Sequence, residues 1–475
     1  MALRIYNTLT RHKELFEPLT PGQVRMYACG VTAYDLCHMG HARSALVFDV
    51  IRRYFEFKGY RVLFVRNFTD VDDKIIKKAN GEGVSASEVS ERYIAEYRKD
   101  MDNLGVLPAE VEPKATEHIP QMIALIERLL ARGFAYVVDG DVYFEVRRFP
   151  RYGRLSGKNL EELLVGARVE VDERKRDPRD FALWKASKPG EPLWESPWGP
   201  GRPGWHIECS AMSMAYLGES FDIHGGGEDL IFPHHESEIA QSEAGTQKLF
   251  ARYWIHNGFV NFGKEKMSKS LGNILTIKEL VKRHDPDALR LYLLGTHYRN
   301  PLDFGEDRLH ETARGLERLR RLPQEAERLA IATPSGGPDG GLPRQVAMWR
   351  ERFEAAMDDD FNTPQALGAL FELSHVLYRY SDLAGRGERA IKPFIDGVET
   401  LVELCRVLGV LERSPKRPEM APELREHITQ LVAERDEARK QRDWTRADKL
   451  RAELQELGVT VEDTPSGTRW KWEGA

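Results

Sequence analysis

Cysteine is scarce in this chain: Cys29, Cys37, Cys209 and Cys405 are the only four in 475 residues. No CxxC pair occurs and the spacing does not suggest a disulfide scaffold, which points to a reducing compartment. An excess of one charge is also missing. Lys and Arg number 69 against 75 Asp and Glu, a formal −6. That excludes a generally basic nucleic-acid coat but leaves room for local phosphate-binding patches. No apolar run approaches the length of a membrane span. The opening MALRIYNTLTRHKELF carries neither an apolar core nor a Ser/Arg-rich presequence. The expectation is a cytoplasmic protein without membrane contact. Neither G-x-x-x-x-G-K-[ST] nor G-x-G-x-x-G is present, so an ordinary P-loop or dinucleotide fold is not supported. What remains is length, enough for roughly two to four domains and a large core.

The chain is organised around residues 25–58. Arg25–Cys29 is short and β-like, and a turn-rich loop with Gly30, Thr32 and Asp35 follows. His41 to Lys58 reads as a helix: Ala45, Leu46, Phe48, Asp49 and Arg52 fit a 3.6-residue period, and Gly59 sits where a C′ residue is wanted. Tyr60–Asn67 is a nearly unbroken apolar run of the kind buried in a parallel sheet. The result is a βαβ unit. His38-Met39-Gly40-His41 stands at its helix N-terminus, where free N–H groups and the dipole attract anions. Gly40 lets the backbone approach a ligand, and two imidazoles three residues apart can face one phosphate. Far away lies Lys266-Met267-Ser268-Lys269-Ser270, bracketed by Gly263 and Gly272. Two lysines on a loop free to bend can close on a triphosphate and neutralise a departing pyrophosphate. Taken singly, these motifs read more readily as surface histidines and a solvated basic loop, because short motifs are common.

Taken together and in this order, they resemble the two signatures of class I aminoacyl-tRNA synthetases, with Met39 in place of the commoner Ile. Further stretches narrow the likeness: Cys29-Gly30, Thr69-Asp70-Val71-Asp72-Asp73-Lys74, Gly204-Trp205-His206-Ile207-Glu208-Cys209, and His224-Gly225-Gly226-Gly227-Glu228-Asp229 running on to His234-His235-Glu236. All look like cysteinyl-tRNA synthetases, from the first strand to the C-terminus. That resemblance implies a ligase that converts L-cysteine and MgATP to cysteinyl-adenylate and pyrophosphate, then passes the cysteinyl group to the terminal ribose of the cysteine tRNA. It implies that His38 and His41 stabilise the pentavalent phosphate and that Lys266 and Lys269 stabilise the leaving pyrophosphate. Gly40, Gly227, Asp229 and Ser268 join them in holding ATP. Cys29, Gly30, Thr69 and Trp205 face the amino acid. Asp229 could equally be a helix N-cap, Thr69 a turn cap and Trp205 a core residue.

His234 and Glu238 are four apart, which places them on one face of a helix start. Either of Cys29 and Cys209 alone reads as a buried structural cysteine. The resemblance joins all four as the ligands of one Zn²⁺ per chain, with His235 as an outer neighbour. Zinc would have a purpose, because an apolar pocket separates near-isosteres by only about 100-fold. A thiol is readily deprotonated and held by zinc, whereas a hydroxyl is a poor ligand. A paralogous cysteine ligase that acts on a sugar amine would share these motifs but resembles a synthetase lacking the C-terminal tail. Here Glu423–Ala475 is present, with Arg439, Arg442, Arg446, Trp444, Trp470 and Trp472.

The expected fold class is α/β: a Rossmann-like parallel-sheet catalytic domain with an insertion, then an all-helical bundle and a small C-terminal α+β tail. Residues 1–106 and 204–300 form the catalytic halves, and 107–203 the connective insertion. Residues 301–413 form the bundle, and 414–475 the anticodon-recognising tail. Helices are expected at Ala86–Asn103, Pro120–Arg132, Glu306–Leu329, Arg344–Met357, Pro364–Leu383 and Ile391–Leu408. Pro323 is expected to kink or break its helix. No strand is expected after Pro301 until the extreme end. The chain is expected to be a monomer.

Lys269→Ala should slow adenylate formation by about 100-fold or more while cysteine binding holds, since the charge is needed mainly in the transition state. Unchanged ATP–pyrophosphate exchange kinetics would remove Lys269 from the mechanism.

Overall fold

Strand, helix and strand follow one another as the hydrophobic pattern requires: Gln23–Ala28 (β1), Met39–Phe57 (α1) and Arg61–Arg66 (β2). β1 and β2 run parallel, with Gln23 opposite Arg61 and Ala28 opposite Arg66. This computed structural model describes residues 2–158, 173–262, 265–266, 275–332, 337–412, 422–464 and 467–472. Phe221–Gly227 (β3) and Ala251–Asn257 (β4) complete a parallel sheet in the spatial order β4-β3-β1-β2. The chain leaves β1 towards one edge and returns through β3 on its other side. The C-terminal ends of β1 and β3 therefore flank a topological switch point, where open α/β sheets bind ligands.

Between β2 and β3 in the chain comes an antiparallel sheet of Ala135–Val138, Asp141–Phe144, Phe181–Ala186 and Gly201–Pro203. Its apolar face packs with the helix Ile119–Ala131 around Val142, Phe144, Leu183 and Trp184. A short hairpin, Arg4–Asn7 with His12–Leu15, precedes the catalytic sheet. After it come four long helices: Glu306–Ala332, Leu342–Asp358, Thr363–Gly385 and Ile391–Val407.

Two sequence expectations fail here. Pro323 does not break its helix, which runs from Glu306 to Ala332. Leu319, Leu322, Ala326 and Leu329 are buried on both sides of it, so packing holds the helix across the missing hydrogen bond. A strand does follow Pro301: Leu302–Phe304 pairs parallel with Val260–Phe262. Three residues carry too little alternation to announce themselves, and the strand exists only through its partner. α1 also starts two residues before the apolar period suggested.

The contacts divide the chain into Met1–Glu412 and Arg413–Ala475. The second unit comprises helices Pro422–Lys440 and Trp444–Glu456 and a hairpin of Val459–Thr464 with Gly467–Trp472. Ile428, Leu431, Val432, Leu450, Leu454 and Val459 form its core. Trp444 is exposed rather than part of that core.

Within the first unit, α1 is buried along most of its length and carries Asp49 into the interior. Arg53 donates to Asp49 at 2.9 Å, and the fully buried Arg290 donates to it as well. Arg290 also donates to the carbonyls of Leu408, Leu104 and Gly105. It thus ties α1 to the end of the last long helix. Burial alone would raise the Asp49 carboxyl, but Arg290 and Arg53 hold it below its ordinary value. Removing one partner of a buried pair costs about 3–5 kcal/mol, so Arg290→Leu should lower the urea midpoint correspondingly. Because the folded pKa is depressed, the contribution is present above the unfolded value of about 4 and is lost as pH falls through the folded one. The gap between variant and wild type should therefore close in acid. A midpoint unmoved at neutral pH would show the pair to be dispensable.

Candidate active site and metal centre

The sequence His38-Met39-Gly40-His41 caps its own helix. His38 is the N-cap of α1 and its Nδ1 accepts from Gly40 N–H at 3.1 Å, while His41 Nδ1 accepts from His38 N–H at 3.3 Å. This reciprocal cap is why the helix begins early. The two rings stack with centroids 3.9 Å apart. A Cβ at position 40 would come within 2.9 Å of the His38 ring, so glycine is required for the stack. With both Nδ1 atoms accepting main-chain protons, a neutral ring carries its proton on Nε2 and is a donor there.

These residues open onto a cleft of about 390 Å³ at the switch point, also lined by Cys29, Gly30, Trp205, Gly227 and Asp229. Gly30 follows β1 so closely under the next strand that a Cβ would lie 1.6 Å from the Asn67 carbonyl oxygen. Asn67 Oδ1 accepts from Gly30 N–H at 2.9 Å. Gly227 occupies the cap before the short turn Glu228–Leu230, so Asp229 is not an N-cap; it is exposed to the cleft. Lys266 ends a two-residue strand paired with Asn261. Ser268 and Lys269 lie outside the described residues.

Behind Cys29 and Trp205, which line the cleft, lies a cluster of buried ligating groups. Cys29 closes β1, Cys209 lies in the helix Trp205–Leu217 (α2), His234 precedes the helix Glu236–Thr246 (α3), and Glu238 stands in its first turn. One ligand atom from each of the four lies within 4.8 Å of all the others. Cys29 Sγ is 3.6 Å from Cys209 Sγ and 3.5 Å from Glu238 Oε1, and His234 Nε2 is 3.0 Å from that oxygen. Cys209, His234 and Glu238 are at most 1 % exposed. Burial raises the Cys29 thiol, and its neighbour Cys209 raises it further. Burial alone would also raise Cys209, yet its hydrogen bonds with Cys29 and His234 bring it down to about 6. Burial works against ionising Glu238 as well, and His224 and His234 hold it down to about 2. The arrangement favours one thiolate and one carboxylate around an imidazole.

The comparisons with known proteins bear on what this geometry serves. Residues 15–314 match the family described as tRNA synthetases class I (C) catalytic domain. Residues 352–412 match the DALR domain, and 421–470 the cysteinyl-tRNA ligase anticodon binding domain. The cysteine–tRNA ligase of Thermodesulfovibrio yellowstonii is 52% identical over 99% of both chains. That of Geobacter sulfurreducens is 54% identical over 99% of this chain and all of its own. The chain belongs to the cysteine–tRNA ligase family. A methionyl-tRNA synthetase of Mycobacterium tuberculosis, solved with methionyl-adenylate, shares the fold: TM-score 0.60 at 16% identity, over 81% of this ligase and 89% of that protein.

The donors of this ligase fit zinc. Two Zn–S bonds of about 2.3 Å at the tetrahedral angle put sulfurs about 3.8 Å apart, close to the separation found. A second group, Cys29, His224, His235 and Glu238, is equally compact. Its histidines have other duties: His224 Nε2 bonds Glu238 Oε2 at 2.9 Å and His235 Nδ1 bonds His256 at 2.8 Å. The set with two thiols is the softer and the better zinc site. His224 on Glu238 and His206 on His234, at 2.9 Å, are then the outer partners that orient the ligands.

Trp205 begins α2 and stacks on His234 at 4.2 Å while 37% exposed, so it covers the cluster without joining the core. Thr69 is buried, and its hydroxyl donates to Glu208 at 3.1 Å rather than into the open cleft. Asn67 and His206 were not singled out from the sequence. No spacing marks them; only the packing of β2 and α2 around Cys29 brings them in.

Cys209→Ser should weaken zinc binding by more than the roughly 10–100-fold that loss of an outer partner costs, while circular dichroism stays that of the wild type. Full zinc content in the purified variant would show that Cys209 is no ligand.

Proposed function

We propose that this ligase activates L-cysteine with ATP and charges the cysteine tRNA, selecting the thiol through a zinc ion on Cys29, Cys209, His234 and Glu238. The observation that carries the reading is that Cys29 lines the same cleft as the His38–His41 helix start while belonging to a buried two-thiol cluster. Bound zinc would hold the substrate sulfur as a thiolate and accept a serine hydroxyl poorly.

The chain's own residues do the rest by position and charge. Trp205 closes over the amino acid, and Gly30 meets it beside Cys29. Thr69 acts through Glu208. His38 and His41 donate from Nε2 to the α-phosphate oxygens as charge builds there, and Gly40 lets those oxygens approach the helix start. Gly227 and Asp229 take the ribose side of ATP. Lys266, Ser268 and Lys269 take the β- and γ-phosphates, with Mg²⁺ brought in by ATP.

Residues 1–106 and 204–300 serve as the catalytic halves, 107–203 as the connective insertion and 301–413 as the bundle. Residues 414–475 recognise the anticodon, and their match to an anticodon-binding domain supports a tRNA acceptor over a sugar amine. No helix among the described residues is long and apolar enough to cross a membrane. A cytoplasmic monomer completes the proposal.

Cobalt-substituted enzyme tests the selecting role. Cysteine should add a thiolate-to-metal charge-transfer band and serine should not. A spectrum indifferent to cysteine, or metal-free enzyme that prefers cysteine as strongly, would refute zinc selection.

A further inference from the structure

Arg43 stands two residues beyond His41 on α1 and is 1 % exposed. The charge of Glu228 acts on it, but its hydrogen bonds go to the main chain. Its guanidinium donates to five main-chain carbonyls on two separate segments. Nη1 reaches Gly258 at 3.3 Å and Phe259 at 2.7 Å. Nη2 reaches His297 at 3.1 Å, Tyr298 at 3.4 Å and Asn300 at 2.5 Å. The first segment is a wall of the cleft: Asn257, Gly258, Phe259 and Val260 all line it. It continues directly into the Val260–Phe262 strand, whose antiparallel partner ends at Lys266. The second segment is held from its far side by Asp360, which accepts from Tyr298 Oη at 2.7 Å and Arg299 Nε at 2.8 Å.

We propose that Arg43 is a positioning residue for adenylate formation. One planar fork fixes the distance between the His38–His41 helix start and the wall from which the lysine loop departs. This rests on the reading that the nucleotide lies between those two. A helix and a loop joined only by packing could slide by a fraction of an ångström. A guanidinium shared among five carbonyls cannot shift without breaking several bonds at once. Lysine keeps the charge but offers three donors from a single point, so it cannot bridge both segments. None of these five hydrogen bonds goes to the amino-acid half of the site, on Cys29, α2 and α3.

Steady-state ATP–pyrophosphate exchange, with zinc content measured on the same samples, tests the proposal. Arg43→Lys should lower kcat/KM for ATP by about 100-fold, the scale of a 1 Å misplacement, while KM for cysteine and zinc stoichiometry stay within about twofold of wild type. Gly258→Ala disturbs the same junction with residue 43 unchanged, because its Cβ would lie 2.8 Å from the Asn300 backbone and push apart two of the carbonyls that Arg43 joins. It should show the same split. Wild-type kinetics for ATP in Arg43→Lys would overturn the proposal. So would a loss of zinc and of cysteine affinity in step with the loss for ATP, which marks general unfolding. If Arg43→Lys proves insoluble, Gly258→Ala decides by the same criterion. Wild-type enzyme run alongside reports separately on the functional reading, by whether its exchange requires cysteine.

Discussion

A carboxylate with no exposure to water is the constraint around which the catalytic half is arranged. Glu238 cannot be left charged in that interior without compensation, since an unpaired buried ion costs several kcal/mol. His224 from β3 takes one oxygen; His234 and Cys29 crowd the other. Each of these is then held in turn: His234 by His206 and by the Trp205 face, Cys29 by its place at the end of β1. A cation at their centre would resolve the whole set, because it would reward the thiolate, the carboxylate and the imidazole together.

The cleft joins two chemical environments that would not tolerate one another if mixed. Its floor is dry and soft, built of sulfur and aromatic faces, and suits a thiol. Its rim is the start of α1, where the stacked His38 and His41 rings and the positive end of the helix dipole meet the cleft. α1 carries the rim but belongs to the interior: Asp49, a few turns below, is locked to Arg53 and Arg290. The phosphate motif therefore rests on a helix that cannot tilt without disrupting buried ion pairs. The helical bundle shares in that through Leu408 and Asp360.

Much of this was legible before the fold. The opening βαβ unit and the glycine of the His38–His41 motif each follow from local chemistry, because helix period, buried-strand composition and turn residues are properties of a few neighbours. Ala86–Asn103 lies where its periodicity put it. The misreadings have the same root in reverse. Pro323 carries a strong local signal that long-range packing overrode, and Leu302–Phe304 carries almost no local signal yet is recruited by Val260–Phe262.

By itself the sequence determined the chemical inventory: which thiols, imidazoles, carboxylates and lysines exist, which stand at a helix start, and that His234 and Glu238 share a face. The tertiary structure alone decided which of them meet. Cys29 and Cys209 are 180 residues apart, and nothing in their own neighbourhoods tells one from an ordinary buried cysteine. Parallel pairing of β1 with β3 brings the first cysteine to the switch point, and the packing of α2 and α3 beneath it supplies the rest. The same holds for Thr69, which the fold turns towards Glu208, and for Arg43, whose five acceptors lie more than 200 residues along the chain. Proximity of this kind is set by sheet order and helix packing, which are sums over the whole chain.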